Sequence, residues 1–177
     1  MGKGMVYNMN TVYLISGACG CGKSTLAKSL SKESERTFFI EGDILSGFFC
    51  DMGQAPWDER LRITWDNIIS LTQNALRNRL NVIIDYVVED ELPRLLQGLK
   101  EFDYELRYIV LLADEGHIRA RIETRGDVEL IPRALFLREQ LMHTQGNISY
   151  ILDNTELNTE EVRKQFLAEP RFIYRTG

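Results

Sequence analysis

Apolar residues along this chain fall into solid runs, separated by stretches in which they recur every third or fourth position. The runs are residues 11–16, 37–40, 81–85, 106–112 and 148–152, each the length of a strand buried on both faces. Between the first two, Leu26 and Leu30 stand at i,i+4, which predicts a helix over 24–32. Pro56-Trp57 introduces a longer helix, with Leu61, Trp65, Ile68, Ile69 and Leu76 on one face. Leu92, Leu95, Leu96 and Leu99 mark the next helix, and residues 116–124 read as helical up to the breaker Gly126-Asp127. Pro132 restarts a helix through about His143, and Asn158 followed by Thr-Glu-Glu is the start signal of the last one. Residues 171–175 read as a mixed apolar and basic tail.

Strands alternating with helices imply right-handed crossovers and a parallel sheet covered on both faces, an α/β fold of three layers. Ligands of such a sheet bind at the carboxyl ends of its strands. The 177 residues fit a single domain over 1–177, with 1–10 expected to be a disordered lead-in. The interruption at 126–132 predicts a small arginine-bearing lid over about 117–140.

The first strand runs into Gly17-Ala18-Cys19-Gly20-Cys21-Gly22-Lys23-Ser24, the spacing G-x-x-x-x-G-K-S of a phosphate-cradling loop. Gly17 and Gly22 permit backbone conformations that turn successive N–H groups toward phosphate oxygens. Lys23 brings a mobile positive charge to the β- and γ-phosphates, and the Ser24 hydroxyl is placed to ligate Mg²⁺. Gly17 through Thr25 are therefore the expected nucleotide contacts, in a P-loop NTPase fold with ATP and Mg²⁺ as cofactors.

Three acids stand at or near predicted strand ends: Glu41, Asp43 and Asp85. Asp85, after Val82-Ile83-Ile84, has the form of an acid that holds Mg²⁺ directly or through water. Asp43 is placed to accept the proton of an acceptor hydroxyl or to join the metal's outer shell, whereas Glu41 reads as a turn or cap residue. Arg119, Arg121, Arg125, Arg133 and Arg138 surround the lid. Arg121 and Arg125, at i,i+4, are the expected pair over the transferring phosphoryl group. Residues 44–59 read as a mobile segment beside an acceptor pocket, with Trp57 and Trp65 expected in the core.

A net charge of −5 disfavours a nucleic-acid partner, because phosphate backbones reward basic surfaces. No apolar run reaches the ~18–20 residues of a membrane span, and no apolar leader stands at the N-terminus. Cys19, Cys21 and Cys50 make no disulfide framework, and the chain reads as cytoplasmic. Cys19 and Cys21 are either small loop-fitting side chains or redox-sensitive thiols with a pKa lowered by Lys23. His117 and His143 have no metal-ligand spacing.

With these residues the chain resembles the small P-loop kinases of the gluconate kinase, shikimate kinase and adenylylsulfate kinase group. The phosphate loop, Gly42-Asp43, Leu45, Pro56-Trp57 and the 119–125 region carry the resemblance. It implies transfer of the γ-phosphoryl of ATP to a hydroxyl of a small metabolite, a sugar acid such as gluconate among them, by a monomer or homodimer. Ser46 stands where gluconate kinases carry a histidine, and Asp85 is similar to the acid of chloramphenicol-type antibiotic phosphotransferases and nucleotide kinases. An antibiotic- or nucleotide-modifying phosphotransferase and a nucleotide-dependent switch are the alternatives.

Overall fold

A computed structural model describes residues 9–50 and 55–175. Five parallel strands, β1 (Asn10–Gly17), β2 (Thr37–Glu41), β3 (Asn81–Asp85), β4 (Tyr104–Leu112) and β5 (Ile151–Asp153), lie in the order β2-β3-β1-β4-β5. Among the described residues seven helices connect and follow them: α1 (Lys23–Glu33), α2 (Gly42–Ser46), α3 (Trp57–Arg77), α4 (Leu92–Leu99), α5 (Glu115–Arg125), α6 (Ile131–His143) and α7 (Thr159–Ala168).

Successive strand residues point to opposite faces, and here both faces are apolar. Val12, Leu14, Val82, Ile84, Tyr108 and Val110 meet Trp65, Ile68, Leu95, Leu99 and Leu141 from α3, α4 and α6. Ile15, Ile83, Ile109 and Leu111 meet Leu26, Leu30, Val162 and Phe166 from α1 and α7. The solid apolar runs are thus the consequence of a sheet buried on both sides. Because β1 lies between β3 and β4, its connections diverge from the centre of the sheet, which opens a crevice above the loop that follows it.

Several expectations are corrected. Asn10 opens β1 rather than ending a lead-in, and residues 1–8 of that lead-in lie outside the described residues. Residues 145–150 are a 3₁₀ turn and only Ile151–Asp153 is strand, because Asn147 turns inward to accept from the Tyr108 hydroxyl at 3.0 Å. Residues 44–46 of the stretch expected to be mobile belong to α2 and 57–59 to α3, whereas 51–54 lie outside the described residues. Trp65 is core, but Trp57 is half-exposed beneath the Arg60 guanidinium. The C-terminal segment is no free tail, since Phe172 is fully buried and the Tyr174 amide donates to Leu106 O at 2.8 Å.

Candidate active site

The loop between β1 and α1 turns through three glycines at positive φ, Gly17 (141°), Gly20 (83°) and Gly22 (103°). Glycine at Gly17 is required twice over, by that φ and because a Cβ there would stand 2.4 Å from Leu111 O. Gly22 caps α1, no side chain occupies the helix's first amides, and its first turn holds no acid. That leaves an N-terminus whose N–H groups and dipole suit an anion.

The Lys23 ammonium donates to Ala18 O at 3.3 Å across the loop. Burial pushes its pKa down, but Cys21, Asp85 and Asp43 push it up, and the second influence wins. Asp85 ends β3 almost buried, with the Ser24 side chain beside its carboxylate. Burial raises its pKa above the ordinary carboxylate value, against the opposing pull of Lys23 and Ser24.

A cavity of about 610 Å³ joins these groups. Its lining includes Cys19, Gly20, Gly22, Lys23, Ser24, Thr25, Asp43, Arg121 and Arg125, together with the apolar Leu26, Leu111, Leu157 and Val162. Asp43, exposed in the first turn of α2, faces the same space. α5 presents His117, Ala120, Arg121 and Thr124, one face at i, i+3, i+4 and i+7. Arg121 Nη1 donates to Gly20 O at 3.1 Å, and Arg125 Nη2 lies 3.6 Å from Cys19 Sγ. α5 and α6 are joined by a small core of Ile118, Ile122 and Ala134, against which Cys19 packs, so the arginine-bearing segment is seated on the phosphate loop.

The structure therefore gathers Lys23, Ser24, Thr25, Asp43, Arg121 and Arg125 into one cavity, with Asp85 behind it. Gly17, Ala18 and Cys21 shape the loop without lining the cavity. Arg119 is exposed elsewhere, Arg133 pairs with Glu89 at 2.5 Å, and Arg138 donates to Ala113 O at 2.8 Å. Glu41 pairs with Lys28 at 3.1 Å. Cys21 is buried and its thiol pKa is raised by that burial, which removes it from the redox-sensitive reading.

Sequence reasoning missed His117, Asn154, Leu157 and Thr159 in the cavity wall. Asn154 donates through Nδ2 to Cys21 O at 2.7 Å and ties the segment after β5 to the phosphate loop. The i,i+3,i+4,i+7 face of α5 was a legible signal for His117; nothing local marked Asn154.

Among the described residues no group of three or more His, Cys, Asp or Glu side chains forms a metal cage. The hydroxyl of Ser24 and carboxylate of Asp85 nevertheless fit Mg²⁺, which takes one or two protein oxygens and completes its shell with phosphates and water.

A parallel sheet of this order, with its glycine-rich loop between β1 and α1, defines a P-loop nucleotide-binding protein. The chain belongs to the AAA domain family, whose model matches residues 12–145. No curated protein matches the sequence. The tunicamycin resistance protein of Deinococcus radiodurans shares the fold at a TM-score of 0.67 and 17% identity, over 90% of this chain and 94% of that one. A sugar kinase from Janibacter sp. HTCC2649 does so at 0.64 and 18%, over 90% and 93%. A gluconokinase from Sinorhizobium meliloti 1021 does so at 0.60 and 19%, over 92% and 91%. The chain spans about half, 47%, of a chain in the Pnkp1/Rnl/Hen1 RNA repair complex that it matches at a TM-score of 0.61 and 18% identity, over 78% of its own length. No described helix is long and apolar enough to cross a membrane.

Proposed function

We propose that the chain is a single kinase domain that uses Mg²⁺-ATP to phosphorylate a hydroxyl of a small molecule. The observation that carries this is the convergence of the phosphate loop, Lys23, Asp43, Arg121 and Arg125 on one cavity. A switch ATPase has no use for a carboxylate on the acceptor side, whereas transfer to an alcohol needs a proton acceptor there.

In this reading the amides of residues 17–25 and Lys23 hold the phosphates. Ser24 and Asp85 would hold Mg²⁺, with Asp43 in its outer reach, and the ion would supply charge neutralisation on the phosphates. Asp43 orients the acceptor hydroxyl and takes its proton. Arg121 and Arg125 leave their loop contacts to meet the charge spread over the transferring group. The slot between the α5 face and Leu157 takes the base. The protein acts in the cytoplasm as a monomer or homodimer.

For the acceptor, a sugar acid such as gluconate follows from the Gly42-Asp43 resemblance. A specific observation favours a second class, the antibiotic-like or nucleoside-like alcohol with an apolar body. Ile44, Phe48 and Trp57, which follow Asp43, are 53%, 70% and 51% exposed, and Arg133 is committed to Glu89. Coupled ADP release with Mg²⁺-ATP and an acceptor panel of sugar acids, shikimate, nucleosides and antibiotics tests the proposal. Stimulation by one class, lost in Lys23→Ala by on the order of 10³-fold with the fold intact, is the expected result. Nucleotide binding without stimulation by any acceptor overturns it in favour of a switch.

A further inference from the structure

We infer that Tyr86 is a positioning residue for phosphoryl transfer: it grips α2 at both ends and so fixes the Asp43 carboxylate relative to Asp85. The inference rests on the reading that Asp43 serves the acceptor hydroxyl.

α2 has five residues and cannot hold itself. Just past its C-terminus the chain is closed by Gly47 N to Asp43 O at 3.0 Å and Phe48 N to Leu45 O at 3.2 Å. No side chain caps its N-terminus, and Glu41, which precedes it, is drawn instead to Lys28. The direction of Asp43 is therefore set by what α2 rests on.

It rests on Tyr86. This residue follows Asp85 at the end of β3, is nearly buried, and its amide donates to Ile15 O at 3.3 Å. One side of its ring meets Trp65, with centroids 5.7 Å apart. The other lies so close to Gly42 that a Cβ there would stand 2.3 Å from ring atom Cγ and 2.4 Å from Cδ2. The Ser46 side chain, on the last residue of α2, stands within reach of the Tyr86 hydroxyl. Ring contact at the first residue and hydroxyl contact at the last leave α2 one orientation. The acid on the metal side and the aromatic platform for the acid on the acceptor side are consecutive in the chain, so the two carboxylates are held in register by one rigid strand end.

This explains why residue 42 is glycine without a positive φ: the constraint is the approach of the Tyr86 ring. It also gives Ser46 a role.

The test compares Tyr86→Phe, Ser46→Ala, their double variant and Gly42→Ala with Asp43→Asn. The readouts are kcat and acceptor KM, phosphorylated acceptor formed per ADP, Kd for a fluorescent ATP analogue with Mg²⁺, and Tm. Tyr86→Phe and Ser46→Ala are each expected to lower kcat about fivefold, and the double variant no further, because they remove the same contact. Gly42→Ala is expected to lower kcat about 100-fold by shifting the helix, with nucleotide Kd within about twofold and fewer transfers per ADP. If Asp43→Asn leaves transfer intact, the reading of Asp43 fails. If Asp43→Asn abolishes transfer while Tyr86→Phe, Ser46→Ala and Gly42→Ala keep wild-type kcat and coupling, the inference alone is overturned. Should Gly42→Ala not fold, the Tyr86→Phe and Ser46→Ala cycle decides, additive losses counting against it.

Discussion

Glu41 and Asp85 are register partners on the last rung of the β2–β3 ladder, so two carboxylates leave the sheet side by side. Their surroundings separate them. Glu41 turns to Lys28, while Asp85 stays at 6% exposure against Ser24 and Lys23.

Asp85→Asn is expected to cost activity without costing stability. The native pKa of Asp85 lies above the unfolded value of 3.8 despite the attraction of Lys23, so ionising it in the folded state is unfavourable. That penalty is absent below 3.8, grows as pH rises toward the native pKa, and is complete above it. The neutral variant should therefore unfold at the same or a higher temperature than wild type at neutral pH, with the difference vanishing in acid. Turnover should fall about 100-fold through loss of the metal's partner. Thermal unfolding across pH, set beside the coupled assay, checks both signs.

Arg121 and Arg125 should be separable from Arg119. The first two reach the phosphate loop and line the cavity; Arg119, two residues before Arg121, does not. Alanine at Arg121 or Arg125 is expected to lower kcat at least about 100-fold with little change in nucleotide Kd, since the role proposed for them lies in the transition state. Alanine at Arg119 should leave both within about twofold. Equal effects at all three positions in steady-state kinetics would remove the assignment.

Thiol chemistry should divide the cysteines by burial. Cys50 is exposed, Cys19 is half-buried in the cavity wall, and Cys21 is buried with its pKa raised. Iodoacetamide at mildly alkaline pH should label Cys50 and Cys19 and spare Cys21, as read by peptide mass spectrometry. Mg²⁺-ATP should slow labelling at Cys19 and leave Cys50 unchanged.

The parts of this molecule that were legible in the chain are those where one local cause dominates. A strand buried on both faces must be a solid apolar run, so β1, β3 and β4 announce themselves, and the phosphate loop is a contiguous motif whose physics is local. The short β5 did not, because the residues before it form a 3₁₀ turn that buries only Asn147 and leaves Ile148 half-exposed. Trp57 misled for a related reason: its apolar ring has a guanidinium above it in place of a core. Asn154 and Tyr86 were illegible because their work depends on partners 133 residues away at Cys21 and across the sheet end at Gly42.

The C-terminal segment yields the last prediction, because its role in the fold contradicts its look as a tail. Phe172 is fully buried, packed edge-on against Phe166 with centroids 5.6 Å apart. The backbone beside it is pinned by an antiparallel bridge between Ile173 and Arg107, whose Nη1 also donates to Phe166 O and Leu167 O at 3.0 Å each. Phe172 thus closes the core beside Phe166 of α7 and is not among the residues that line the cavity. Phe172→Ala should destabilise by about 3–5 kcal/mol, which for a domain of this size lowers Tm by roughly 6–20 °C. Because Phe172 does not itself line the cavity, kcat measured well below the lowered Tm should remain near wild type. Thermal unfolding with a parallel activity assay separates the two, and a loss of kcat without a loss of Tm would show that the segment serves the site rather than the fold.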